Sequence, residues 1–597
     1  MRHPADMQLA FQRVEAAVSG GTHAVAIIPY EAASAFDRAL AVHTAAGNGS
    51  LDCLAWFGLY AERHEITPGE TARDEGRFTL GGWESHLDSH SHADAVRVIR
   101  DYLGAGDVYQ VNMTFPMAAD FEGDPAALYH MMCRRQGNAG FCAYADFGDR
   151  AILSASPELF FSLDGEGRVR TRPMKGTRRR GLWSVQDEVM REALRASEKD
   201  RSENLMIVDL LRNDLGRVSE PGSVKVESLW DVERYDTVWQ MTSTITARAR
   251  RDAGLHDLFC ALFPCGSVTG APKVRATQVI REMEPVPRGA YTGCIGFVSP
   301  STARGDRRLS GMEATFNVAI RTVIVERETG TATAGVGGGI TWDSEPAAEY
   351  AECLDKAQFL RGSSSQNLAS DPEFDLFETL LFEPESGYYL VQRHLLRMAG
   401  SARYFGFVCD EEVWRHRLDS VATRLEQTSR VRLSLSADGS VRVAAADMSP
   451  APAAMSAVLA AHPIDTEDVF LYHKTTRRAV YESALAGRGT DEVDPPDEVI
   501  LYNDRGELTE CTIGNIVLEV AGRRLTPPVG SGLLPGTFRE ELLESGQIEE
   551  AIVHQDDLAG ADAVYMINSL RRWVRLDPGY AKIEANESME ERESCTG

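Results

Sequence analysis

Thr171-Arg172-Pro173-Met174-Lys175-Gly176-Thr177 holds one lysine between a proline two residues before it and a glycine directly after. Proline fixes φ and removes a backbone donor. Glycine lets the chain turn tightly or approach a ligand closely. The pattern predicts that Lys175 is presented from a constrained turn and not from a solvated helix face. A partly buried lysine sheds its charge readily and becomes a nucleophile. Taken alone, the heptapeptide suits a basic hairpin end better, because Arg178, Arg179 and Arg180 follow at once. The residues around it change that reading.

The chain has 597 residues, too many for one hydrophobic core, so two or more domains are expected. A hydrophobic share of 43% and a charged share of 25% are those of a soluble globular protein. The net charge of -27 argues against nucleic acid or an anionic membrane as a general partner. An anionic substrate would then be met by local basic groups, a metal or backbone dipoles. Ten cysteines with no Cys-x-x-Cys pair indicate neither a disulfide framework nor a zinc site. The start of the chain carries no signal-like apolar run, and no stretch is long and apolar enough to span a bilayer. The expected setting is the cytoplasm.

Ala24–Ile28 and Cys53–Phe57 read as buried strands, and Ser91–Leu103 as a helix. Gly106–Met113 reads as a strand with Tyr109 and Val111 on one face and Gln110 on the other. Ile152–Leu163 reads as another strand, distorted by Ser156-Pro157-Glu158, since proline is poorly placed inside a strand. A polar linker stands at Gly362-Ser363-Ser364-Ser365-Gln366-Asn367, and the pattern restarts at Phe374. Val431–Leu435 and Glu498–Tyr502 read as strands, with a break at Pro450-Ala451-Pro452. The expected layout is a first domain over 1–362, a linker over 363–373, a second domain over 374–578 and an acidic, disordered tail over 579–597.

Two acidic pairs flank the middle of the first domain. Asp200 and Glu203 open a helix, and Glu349 and Glu352 lie in a second. Each pair is spaced i, i+3, which puts both carboxylates on one helix face. Two such faces together would hold a hard cation such as Mg²⁺ by oxygen ligands; spacing alone suits two solvated faces better. Gly270-Ala271-Pro272-Lys273 has no Gly-Lys-Ser/Thr run and is not a phosphate loop. Gly335-Val336-Gly337-Gly338-Gly339 reads as a turn whose N–H groups could hold a carboxylate, and Arg321 as a bidentate carboxylate contact. Structural roles for both stay open.

Taken together, residues 1–362 resemble the chorismate-utilising enzymes, most closely the component I aminodeoxychorismate synthases. The resemblance is carried by Asp107–Asn112, Ser156-Pro157-Glu158, Pro173–Thr177, Ser202–Gly216, Gly270–Lys273 and Gly335–Lys356. It implies an α+β fold whose first half is a two-sheet α/β sandwich. It also implies that Glu203 and Glu352, with Asp200 and Glu349 beside them, serve the Mg²⁺ that grips the substrate's ring carboxylate. Tyr291, Arg321, Thr269 and the Gly337-Gly338 backbone would contact chorismate, with Lys356 at the carboxylate end. Glu158 takes the general acid/base position. Lysine at 175 is the mark of the aminodeoxychorismate synthases; anthranilate synthases typically carry alanine there. The implied chemistry is attack by Lys175 on C2 of chorismate, followed by addition of ammonia at C4. Gln110 stands where water-adding relatives carry a basic lysine, which suits ammonia as the nucleophile. Gln240 departs from a histidine found in many relatives and cannot relay a proton. The chain shows no Gly-x-Cys-x-Gly glutaminase elbow, so a separate glutamine amidotransferase subunit is expected to supply ammonia.

Residues 374–578 resemble the fold-type IV pyridoxal phosphate enzymes, specifically the 4-amino-4-deoxychorismate lyases. The motifs are Phe377–Leu380, His394–Arg397, His473–Thr476, Glu507–Ile516 and Leu533–Arg539. Branched-chain and D-amino-acid aminotransferases share them. The resemblance implies a two-subdomain fold, Lys474 as the Schiff-base lysine and Glu510 opposite the pyridine nitrogen. Arg397, the Ile513 and Gly514 backbone and Thr537 would form the phosphate cup, and a homodimer through this half is expected. The combined expectation is a bifunctional enzyme that turns chorismate and ammonia into 4-aminobenzoate and pyruvate, for folate synthesis; the alternatives are a synthase fused to an aminotransferase of another substrate, or to a non-catalytic dimerisation module.

Overall fold

A computed structural model of the chain describes residues 1–44, 53–66, 76–136, 140–235, 237–303, 305–360, 374–449, 452–487 and 495–578. The Gly362–Asn367 linker, Pro450-Ala451 and the acidic tail lie outside the described residues. Packing divides the chain into two units. One is Met1–Arg180 with Met190–Leu368; the other is Ala369–Gly597 together with Gly181–Val189.

The first unit is built on two largely antiparallel sheets. In the nine-stranded sheet the lysine strand, Met174–Arg179, pairs with Val238–Arg248, which pairs onward with Arg168–Arg172 and then Leu159–Leu163. In the eight-stranded sheet Gln110–Gly123 runs beside the glycine strand, Thr331–Ile340, followed by Thr322–Glu326 and Arg150–Ser156. Ile27 and Ile295 of one sheet meet Ile152 and Ile324 of the other in a shared apolar cluster, so the sheets pack face to face. The first acidic helix, Glu198–Gly216, buries Ile207, Val208, Leu211 and Leu215 against Phe160, Phe161 and Ile245. That is the stripe expected of a helix lying on a sheet. Its start is fixed by Ser197, whose side chain accepts from the Asp200 N–H at 3.3 Å. The second acidic helix, Pro346–Lys356, begins on a proline whose missing N–H costs nothing in a first turn.

The second unit has a four-stranded sheet, containing Leu376–Glu383 and Ser429–Leu435, covered by the helices Val391–Phe405 and Glu411–Ala422. It also has an eight-stranded mixed sheet with its own core of Ile500, Ile516, Met566 and their neighbours.

Several strand expectations change. Ile152–Leu163 is not one strand. The chain leaves the eight-stranded sheet at Ser156 and joins the nine-stranded sheet at Leu159. Pro157 cannot donate to a ladder, so the crossing falls there. Lys175 lies on a strand with a register shift between Met174 and Thr177, not in a turn; Gly176 takes φ +94° at the irregularity. Gly335–Gly339 is strand as well, with Gly337 opposite Thr114 and Gly338 opposite Met113. Glycine is needed because a Cβ at 335 would come within 2.1 Å of the Tyr291 ring, and one at 337 within 2.4 Å of the Met113 carbonyl. The early strand is Trp56–Tyr60, displaced from Cys53–Phe57. Tyr109 precedes the strand that starts at Gln110 and is exposed, while Gln110 and Val111 are both buried.

Candidate active sites

In the first unit, Lys175 and Gln110 converge beside Gly339, and Glu158 lies near enough to Lys175 to feel its charge. A Cβ at 339 would lie 3.0 Å from Lys175 Nζ and 2.3 Å from Gln110 Nε2, so this glycine leaves the space into which both side chains reach. Burial lowers the Lys175 pKa below that of an ordinary lysine, against the pull of the Glu203 carboxylate. Burial raises Glu158 to about 7, against Ser267 and the Lys175 charge. One Glu158 carboxylate oxygen and both Gln110 amide atoms are buried without a hydrogen-bond partner. Unpaired buried polar groups are costly and collect where a ligand is to supply the partner. Gln240 donates to the Gly176 carbonyl at 2.8 Å and accepts from Thr177 Oγ at 2.8 Å, so its amide grips the lysine strand on both sides of the distortion.

The acidic helices face the same space. Burial raises the Glu203 pKa, with Asp200 and Glu349 adding to the rise; burial also raises Glu349, with Glu352 adding to it. Their carboxylates therefore feel one another across the two helices. Glu352 is opposed by Lys356 Nζ at 2.8 Å, and Lys199 Nζ lies 3.9 Å from Glu203. Lys356 also donates to the Gly337 carbonyl at 3.2 Å. Within a strand a residue's N–H and C=O point to the same side, so the Gly337 N–H points toward the Lys356 end too. Arg321 is held at φ +51° and hydrogen-bonds Gln136; burial lowers its pKa to about 10. The Tyr291 hydroxyl is pushed up by burial. Thr269 is buried and donates to the Cys265 carbonyl at 2.9 Å.

In the second unit, Lys474, Glu510 and Arg397 line one cavity of about 440 Å³. Burial and the Arg397 charge lower Lys474 to about 8. Glu510, raised to about 7 by burial, accepts from Tyr481 Oη at 2.7 Å and from the Leu534 N–H at 3.2 Å. Arg397 forks onto Glu378 at 2.8 and 2.6 Å and donates to the Pro535 carbonyl at 2.9 Å. Thr537 opens the helix Thr537–Glu544, and Ile513 and Gly514 line the same wall. A helix N-terminus beside an arginine suits a phosphate. Arg430, Arg432, Arg478 and Arg571 add positive charge to the cavity.

Residues 5–362 match the family model for chorismate binding enzymes. The chain belongs to that family. Within the chorismate-binding span it is 41% identical to aminodeoxychorismate synthase component 1 of Klebsiella aerogenes, over 48% of this chain and 61% of that one. It is 36% identical to the component 1 of Escherichia coli strain K12, over 55% of this chain and 69% of that one. The chain spans roughly half the length of the curated relatives it matches. Residues 375–577 match amino-transferase class IV. A Mesorhizobium loti protein described as an amino-acid aminotransferase is 36% identical over 34% of this chain and all of its own, with a TM-score of 0.33.

Some groups in this member of the family escaped the sequence reading. Arg288 is buried, pairs with Glu284 at 2.6 Å and donates to the carbonyls of Asn112 and Val268. It thereby ties the strand of Gln110 to the loop of Thr269. Its only sequence signal is the i, i+4 spacing from Glu284. Ser243 donates to Asn204 at 2.6 Å, and Asn204 donates to the Lys175 carbonyl at 3.5 Å. Glu378 and His394 stand inside motifs already quoted, but their 2.7 Å contact at the heart of the second unit was not legible.

Proposed function

We propose that the chain is a bifunctional enzyme of 4-aminobenzoate formation, in which the first unit aminates chorismate and the second releases pyruvate. The observation that carries the first step is the buried Lys175 amine set with a protonatable Glu158 beside the partnerless Gln110 amide. Lys175, whose amine burial makes easier to deprotonate, attacks C2 of chorismate; the C4 hydroxyl leaves as water with the proton of Glu158. Ammonia then adds at C4 and expels the lysine, so nitrogen ends on C4. Gln110 cannot deprotonate water, which favours ammonia over hydration. Gln240 fixes the lysine strand, and Tyr291, Thr269, Arg321, the Gly337-Gly338 backbone and Lys356 orient the substrate.

Mg²⁺ fits the acidic helices by the chemistry of the donors, which are carboxylate oxygens crowded enough to raise one another's pKa. Among the described residues no group of three or more acidic, histidine or cysteine side chains is arranged to enclose an ion unaided. Glu203 and Glu352, with Asp200 and Glu349 near, would thus hold a cation whose shell is completed by water and the substrate carboxylate. A separate amidotransferase subunit supplying ammonia is part of the proposal.

In the second unit the residues fit pyridoxal phosphate: a depressed lysine, a buried carboxyl opposite it, and a helix N-terminus with Arg397. When bound, that cofactor supplies an electron-withdrawing ring. Glu510 would supply the buried carboxyl that keeps the ring electron-withdrawing. Lys474, neutral near pH 8, takes the proton from C4 of the substrate while the enolpyruvyl oxygen leaves the neighbouring carbon, giving the aromatic amine. Arg430, Arg432, Arg478 and Arg571 suit a dicarboxylate better than an apolar amino acid. An aminotransferase acting on another substrate is the second reading, favoured by the match of residues 375–577 to amino-transferase class IV. Product analysis with chorismate, Mg²⁺ and ammonium, with and without pyridoxal phosphate, tests the proposal. 4-Aminobenzoate and pyruvate are expected only with the cofactor; turnover of 2-oxo acids with an amino donor, without pyruvate release, would favour the second reading.

A further inference from the structure

Gly181–Val189 lie within the span that matches the chorismate-binding family, yet they pack as part of the second unit. The segment is internally braced. The Gly181 N–H donates to Asp187 Oδ1 at 3.0 Å, and the Leu182 N–H to Gln186 Oε1 at 2.7 Å. A Cβ on Gly181 would come within 2.2 Å of the Asp187 nitrogen, so the fold-back requires glycine.

Its tip meets three supports. First, the Leu182 carbonyl lies 3.2 Å from His473 Nε2. A carbonyl only accepts, so Nε2 carries a proton, and Nδ1 shares a hydrogen bond with Ser401 Oγ at 2.9 Å. Trp183 stacks on Tyr472, with ring centroids 5.4 Å apart and planes 27° apart. Tyr472 and His473 are buried and directly precede Lys474. On the far side of that lysine, the Phe377 N–H donates to the Lys474 carbonyl at 3.0 Å. Second, Ser184 lies against Gly400, where a Cβ would come 3.0 Å from Ser184 Oγ; Gly400 is on the helix of Arg397. Third, Leu182 and Trp183 pack on the cluster that contains Tyr481, the residue that donates to Glu510.

We propose that Leu182-Trp183-Ser184 is a wedge that positions the second site, buttressing the elements that carry Lys474, Arg397 and Glu510. The proposal rests on reading those residues as the cofactor-holding groups. Aromatic pairs and buried hydrogen bonds of this kind fix a turn in one geometry. A loosened turn would admit water to Lys474, which is faced by Arg397, Glu378, Arg478 and Glu510.

The test uses the full chain with Trp183→Ala and Trp183→Phe. In cofactor-free protein, the pH midpoint for acylation of Lys474 by an amine reagent is read by peptide mass spectrometry. Trp183→Ala should move it up by about one unit, because hydration favours the charged amine. It should also weaken retention of pyridoxal phosphate by about three- to tenfold, and Trp183→Phe should restore both. An unchanged midpoint and unchanged retention in Trp183→Ala would overturn the wedge. If that variant does not fold, Trp183→Leu keeps an apolar side chain there, removes the stack and is read the same way. If the parent chain binds no pyridoxal phosphate, the reading of the site fails, and the midpoint measured without cofactor still decides the wedge.

Discussion

In the proposed reactions two lysines divide the chemistry, and burial lowers the pKa of each. Lys175→Ala should lower formation of the 4-amino product from chorismate by several orders of magnitude, followed by chromatography of the products. Lyase activity on supplied 4-amino-4-deoxychorismate should stay at the parent level. Unchanged synthesis in that variant would end the covalent mechanism. Glu158 gives a pH signature. It carries its proton below about 7 and loses it above, so the synthase rate should fall through an alkaline limb near pH 7. Glu158→Gln should abolish that limb along with most of the rate. The sign for stability is the same. A carboxyl whose folded pKa is raised contributes stability that is full below its unfolded value near 4.5 and is lost as pH rises through about 7. Proline and glycine around Lys175 were legible in the sequence. Its burial was not, because the groups around it, Gln110, Glu158 and Gly339, come from distant parts of the chain.

The acidic helices were legible because an i, i+3 spacing is a local fact. Their approach to one another was not, because it depends on where the sheets set them. Glu203→Gln and Glu352→Gln should each raise the Mg²⁺ concentration needed for chorismate turnover and leave the lyase step alone. The Glu203 change should be the larger, since that side chain is 19% exposed and Glu352 is 56% exposed and already paired with Lys356. A metal titration of initial rates reads this, and parent-like titrations for both would remove the cation from these helices. The glycine strand was read as a turn, since a glycine run favours turns on local propensity. The ladder with Gln110–Gly123 overrides that preference. Gly339→Ala should cost roughly a hundredfold or more in synthase rate, because its methyl enters the space of Gln110 and Lys175. Ordinary turnover by Gly339→Ala would show that the space is not used.

Across the whole chain, the two halves should behave as separable activities. Lys474→Ala should accumulate 4-amino-4-deoxychorismate and release no pyruvate, measured with a coupled dehydrogenase assay. Mixed with Lys175→Ala, it should recover 4-aminobenzoate as the intermediate passes through solution. Parent-rate product from Lys474→Ala alone would show that the second unit is not the lyase. The pure chain should use ammonium and not glutamine. The existence of two units was legible in the length and in the change of pattern near residue 374. The membership of Gly181–Val189 was not, because nothing local in Gly-Leu-Trp-Ser says which core its side chains will join.

That segment bears on how the two units could be parted. A gene broken at the stretch between residues 363 and 373 would leave Gly181–Val189 on the wrong product. The downstream half would lose the tryptophan stacked on Tyr472 and the carbonyl that faces His473. Separating the two units would therefore call for a substitute for those few side chains on the second.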